Sequence, residues 1–184
     1  MNTLWSYFWP LLAVGPVIGI VAGSISFRLP PAAVKDKLEG VPLATHDLRR
    51  KRWLALGIGA AVAIAAAALW AGPMHAADLF AQRVERDARL TLDNYEMYQV
   101  TGRLHRRPLS RRLILSGPAD DFQRSELSRI LALIPGVREA RWSTGGGVPL
   151  IVESGAATIL GFLFGVLLAY FVELRRRFNA QWNW

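Results

Sequence analysis

An α-helical membrane protein with three transmembrane helices, and a small α+β unit set between the second and third, is the fold class this sequence predicts. The first observation is clustering. Apolar residues make up 52% of the chain, and the excess is gathered in three blocks. Such blocks signal spans, whereas an even spread would signal one large soluble core. The second is charge placement, because arginines and lysines crowd the same side of the blocks. The third is a change of texture between blocks two and three, where polar residues return with helical and strand periodicities.

The first block, residues 4–27, holds no charge. At 1.5 Å per residue it is about 35 Å long, enough to cross a hydrocarbon core of about 30 Å. A cleaved signal peptide would need a positive n-region, and no lysine or arginine precedes Arg28. The second block, residues 53–70, is alanine-rich and bracketed by Trp53 and Trp70, rings suited to an interface. The third, residues 155–172, is bounded by Glu153 on one side and by Glu173 and Arg175–Arg177 on the other. Residues 28–52 carry seven cations against three acids. The positive-inside rule therefore puts this loop and the C-terminal tail in the cytoplasm. The expected layout is a first span at 1–28, a cytoplasmic basic loop at 29–52, and a second span at 53–72. A periplasmic domain at 73–153, a third span at 154–173 and a cytoplasmic tail at 174–184 complete it. That makes a multi-pass protein of a bacterial inner membrane, N-terminus outside and C-terminus inside.

Small residues recur at a spacing of four in each span. Gly15, Gly19 and Gly23 line one face of the first, and Gly161 and Gly165 one face of the third. Gly57, Ala61 and Ala65 form a stripe on the second. Lipid gives helices no hydrophobic reason to associate, so smooth faces that let backbones approach supply the attraction. Either the three helices pack on one another, or at least one face docks a partner. Pro10 and Pro16 are expected to kink or shift the start of the first helix. No span holds an ionisable residue at mid-depth, which argues against a pump or transporter.

In the middle segment, residues 77–94 read as a helix with Phe80, Val84 and Ala88 inward. Residues 98–104 and 111–115 read as strands, separated by Arg106-Arg107-Pro108. Asp120, three residues before Gln123, is a capping-box signature for a second helix, with Phe122, Leu127, Ile130, Leu131 and Ile134 inward. Pro135-Gly136 stops it, residues 137–142 form a third strand, and 148–152 offer a fourth. The order is α-β-β-α-β, with helices on one face of a sheet.

The stretch RRLILSGPADDFQRSELSRILALIPGVREARW resembles a BON domain. The resemblance lies in Leu115-Ser116-Gly117, the following helix, and Pro135-Gly136-Val137, and with the preceding helix and strand it spans about residues 77–142 in a single copy. The insertion at 105–110, the Gly145–Gly147 extension and the setting between spans depart from the family pattern. The resemblance implies a periplasmic binding or scaffolding module, often tied to lipid or envelope attachment. It implies no catalytic residue.

Other chemistry finds little footing. There is no cysteine, which excludes disulfides, thiolate metal sites and a cysteine nucleophile. His46, His75 and His105 lack companions at ligand spacing, so neither metal nor other cofactor is expected. Ser116 sits in LSGP, which is no nucleophile elbow. Arg103, Arg106, Arg107, Arg111 and Arg112 offer a contact for anionic lipid or an acidic partner, against the alternative of a solvated loop balanced by acids. Nucleic acid is not expected outside the cytoplasm. Trp182 and Trp184 suit interfacial anchoring or insertion in a partner. The sequence therefore points to a non-catalytic accessory or scaffold subunit of a membrane-protein complex, photosynthetic, respiratory or secretory. A free-standing envelope module that binds phospholipid or cell-wall material is the alternative.

Overall fold

The computed structural model describes residues 3–28, 45–143, 145 and 147–182. The middle of the basic loop (residues 29–44), Gly146 and Trp184 lie outside the described residues, as do the side chains of residues 45–48 and 180–182, Trp182 included. Among the described residues eight elements follow in order: α1 (Thr3–Phe27), α2 (Thr45–Ala71), α3 (Ala76–Asn94), β1 (Thr101–Arg106), β2 (Leu109–Ser116), α4 (Asp121–Leu131), β3 (Glu139–Arg141) and α5 (Leu150–Trp182).

Three of these helices are long and apolar enough to cross a membrane, over Thr3–Phe27, Arg49–Ala71 and Leu150–Asn179. Two of them overrun their sequence boundaries. α2 begins at Thr45, so residues 45–52 are helical rather than part of the loop. α5 begins at Leu150, which removes the fourth strand expected at 148–152. Among the described residues a bridge from Ser110 to Pro149 is the pairing that segment makes. Pro149 explains the switch. Its missing N–H and fixed φ suit the residue that leads into a helix, and its carbonyl accepts from Val152 and Glu153.

The chain divides into two compact units, one of residues 1–10 and 67–155, the other of residues 11–66 and 156–184. The second unit is built from the apolar parts of α1, α2 and α5. Here α1 and α5 approach backbone to backbone. A Cβ at Gly15 would stand 2.6 Å from the Thr158 carbonyl oxygen. A Cβ at Gly19 or Gly165 would overlap the main chain of the opposite helix. At Gly23 it would stand 2.7 Å from the Ala169 Cβ, and at Gly161 2.8 Å from the Pro16 ring. α1 runs as one helix through Pro10 and Pro16, and the Pro16 ring fills the space over Gly161 rather than ending the element. Ala22, Ala63 and Phe162 form the buried centre of this unit, with Ile18, Ala60 and Val166 around them.

In the first unit a three-stranded sheet has the order β1-β2-β3. β1 and β2 are antiparallel, Leu104 opposite Leu113 and Gly102 opposite Leu115. β3 lies parallel to β2, Ala140 opposite Leu113, after the crossover through α4. Leu104, Leu113, Leu115 and Ala140 share the buried face. They are joined by Phe80, Val84, Ala88 and Leu92, the four-residue stripe of α3, and by Leu127 and Leu131 of α4. α4 opens with the expected capping box: Gln123 N–H donates to Asp120 Oδ1 at 2.7 Å, and Asp120 N–H to Gln123 Oε1 at 3.1 Å.

One inward assignment fails. Phe122 is 76% exposed, whereas Leu127, Leu131 and Ile134 are buried. Phe122 sits in the first turn, where the cap residue Asp120 sets the entry of the chain, and a 3.6-residue repeat traced from Leu127 and Leu131 does not pass through it. Two glycines are fixed by backbone geometry. Gly117 has φ 137° and Gly136 φ 109°. A side chain at Gly136 would also press on Val84 and Phe80, so the turn lies directly on α3.

Two outcomes test this packing. Gly19→Leu should lower the thermal midpoint of the detergent-solubilised chain by several degrees, since no rotamer escapes the opposing main chain. An unchanged midpoint would refute the α1–α5 contact. Asp120→Ala should cost about 1 kcal/mol of stability through the lost cap, measured by denaturant unfolding followed by circular dichroism.

Candidate docking surfaces

The small-residue faces separate into used and open sets. Gly15, Gly19, Gly23, Gly161 and Gly165 are spent on the α1–α5 contact. On α2 the buried small residues are Gly59, Ala63 and Ala67. A Cβ at Gly59 would stand 2.6 Å from the Ala22 Cβ, and Ala63 is fully buried. Gly57, Ala61 and Ala65 are exposed, and a Cβ at Gly57 would meet nothing within 4 Å. The register of small residues at 59 and 63 is as smooth as that at 57, 61 and 65, so periodicity alone does not choose between them.

The arginines predicted to cluster are divided by the pleat of the sheet. Arg111 donates to Glu153 at 3.0 Å and to the Gly136 carbonyl at 3.1 Å. Arg112 makes a fork to Glu139, 3.0 Å from Nε and 2.7 Å from Nη2. Arg106 reaches Glu85 at 2.7 Å. Arg103 and Arg107 are exposed and pair with no carboxylate among the described residues. Strand alternation is the cause: Arg103 and Arg112 fall on the face away from α3 and α4, Arg111 on the other. A cleft of about 460 Å³ is lined by Arg111, Arg112, Arg138, Glu139, Gly147 and Val148.

Several anchoring residues were not singled out from sequence. Glu153, in the first turn of α5, accepts from both Arg111 and Arg138, the latter at 3.3 Å. Its neighbour Ser154 is fully buried and lies 2.9 Å from the Tyr7 hydroxyl. Ser154 gives its own proton to the Leu150 carbonyl, so Tyr7 is the donor in that pair. The Tyr7 ring packs 5.2 Å from Phe80, and its carbonyl accepts from the Trp70 indole at 3.1 Å. Thr3 donates to Asp87, and Arg83 to Ser6. The first turns of α1 thus belong to the folded unit. A hydroxyl early in an apolar block is the signal that marks them, but its partner is 147 residues away.

Glu85 has a double part. Its Oε1 accepts the Leu104 N–H at 3.0 Å on the outer edge of β1, while Oε2 takes Arg106. Arg124 lies over the Trp142 ring at 5.4 Å, and the Trp142 indole donates back to the Arg124 carbonyl. His75 faces Asp78, and His105 faces the Pro108 carbonyl. No group of three metal-ligating side chains occurs among the described residues.

The chain matches no family model, no curated protein and no solved structure. Fold and surface together define a protein of three apolar, span-length helices carrying a three-stranded α+β unit.

Glu153→Gln should lower stability by about 1–2 kcal/mol, between the values for exposed and buried ion pairs. Arg138→Gln should cost less, because Arg138 is 62% exposed. Equal losses would remove Arg111 from its place as the main partner. The Arg112 fork holds the Glu139 carboxyl below its ordinary value of 4.5. Its folded-state pKa is depressed, so its contribution is present above about pH 4.5 and lost as the pH falls further. Arg112→Gln should therefore flatten the acid limb of a stability–pH curve.

Proposed function

We propose that the chain is a non-catalytic accessory or scaffold subunit of a bacterial inner-membrane protein complex. On this reading the α+β unit faces the periplasm, as does the N-terminus, and the basic loop and C-terminus face the cytoplasm. The unit is taken as BON-like. Its α-β-β-α-β order supports this, and so do the glycines of its LSG and PGV turns, both at positive φ. The observation that carries the docking reading is the open stripe of Gly57, Ala61 and Ala65. The glycine faces of α1 and α5 are occupied by each other, so the smooth face left for a foreign helix is on α2.

A free-standing envelope module remains the second reading. It rests on Arg103 and Arg107, exposed and without a carboxylate partner among the described residues. On that view the α+β unit presents two cations to phospholipid or cell-wall anions.

Purification of the tagged chain in mild detergent, with mass spectrometry of what accompanies it, separates the two. The scaffold reading predicts stoichiometric recovery of one membrane assembly. Gly57→Leu should abolish that recovery while leaving the thermal midpoint unchanged, because its side chain enters open space. Recovery of the chain alone, with liposome binding lost in Arg103→Gln/Arg107→Gln, would favour the module. Undiminished recovery with Gly57→Leu would exclude that stripe as the docking face.

A further inference from the structure

Net charge is distributed very unevenly. The chain carries +8 overall. Residues 73–153 hold twelve cations against ten acids, while residues 28–52 and 173–177 hold ten against four. Six of the eight net charges therefore belong to segments flanking the spans.

Within the three-helix unit the described parts of these segments meet at one end. The Ser26 hydroxyl donates to the Arg52 carbonyl at 3.3 Å, joining the end of α1 to the start of α2. Arg177 donates to the Phe27 carbonyl at 2.8 Å, and Phe27 and Tyr170 stack edge-on at 5.5 Å, joining α1 to α5. Arg28, the run Arg49–Arg52, and Arg175–Arg177 thus ring a single end of the bundle. Among the described side chains there, Glu173 is the one acid, and it is taken by Arg177 at 3.2 Å. Arg28, Arg49, Arg50, Arg175 and Arg176 are exposed with no carboxylate partner among the described residues.

We propose that this cationic collar is a binding site for the headgroups of anionic phospholipids. Each arginine group begins within three residues of an apolar stretch, so the guanidinium groups lie at headgroup depth. Trp53 and Phe178, both exposed beside the cations, supply the aromatic rings that suit the same depth. Guanidinium forks match phosphodiester oxygens, and several unpaired forks around one bundle end give a site for anionic lipid rather than for a zwitterion whose own amine competes. A collar spread over three helix ends forms no groove that would track a nucleic-acid backbone.

Native mass spectrometry of the intact chain, released from detergent with equimolar phosphatidylglycerol and phosphatidylcholine, tests this. Phosphatidylglycerol should be retained about tenfold better, and the preference should fall several-fold between about 0.05 and about 0.5 M ammonium acetate, roughly a threefold change in screening length. Arg49→Gln/Arg50→Gln/Arg175→Gln/Arg176→Gln should erase most of the preference. Arg103→Gln/Arg107→Gln, in the other unit, should leave it intact. Should the quadruple variant not fold, the salt dependence of the unaltered chain decides. Equal retention of both lipids overturns the proposal. So does loss of preference in the Arg103/Arg107 variant. Displacement by inorganic phosphate would assign the collar to free anions instead, and displacement by an oligonucleotide or an acidic peptide would assign it to a macromolecule.

Discussion

The approach of α1 to α5 through glycine is the constraint on which the three-helix unit depends. In lipid, apolar side chains are solvated as well by acyl chains as by each other, so dispersion between closely fitted surfaces supplies the attraction. Gly15, Gly19 and Gly165 let main chain meet main chain, and Pro16 fits over Gly161. Nothing larger than hydrogen is tolerated at Gly19 or Gly165. The first and last helices of the chain are therefore mutually dependent. α2 joins through Gly59 and Ala63, leaving a second smooth face uncommitted.

The α+β unit rests on a different kind of bond. Its sheet buries one face in the ordinary hydrophobic way, with Leu104, Leu113 and Leu115 against the α3 stripe. Within the same unit, polar contacts hold the first turns of α1, the end of α2 and the start of α5. Tyr7 with Ser154, Trp70 with the Tyr7 carbonyl, and Glu153 with two arginines are all specific, satisfied contacts. Consecutive residues of α5 thereby bind in two directions, Glu153 to the sheet and Ser154 to α1.

How much of this was written in the sequence depends on the range of each interaction. Local patterns were legible. The three long apolar helices, the α-β-β-α-β order, the capping box at Asp120 and the turns at Gly117 and Gly136 each arise from neighbours within a few residues. Phe122 was misplaced because a terminal turn departs from the repeat set by the rest of its helix. The choice between Gly57-Ala61-Ala65 and Gly59-Ala63 was not legible, since both rows are small and the partner helix decides. The arginine cluster dissolved for a related reason. Adjacent residues such as Arg111 and Arg112 point to opposite faces, and their carboxylates come from Glu153 and Glu139, distant in sequence.

Glu85 has an effect on what the molecule avoids. A sheet of three strands presents two raw borders, and a bare border invites another chain to zip alongside. At β1 the Leu104 amide is already claimed by the Glu85 carboxylate, with Arg106 folded over the same group. Strand addition is thus hindered at that amide. The other border, β3, is three residues long, too short a template for runaway growth.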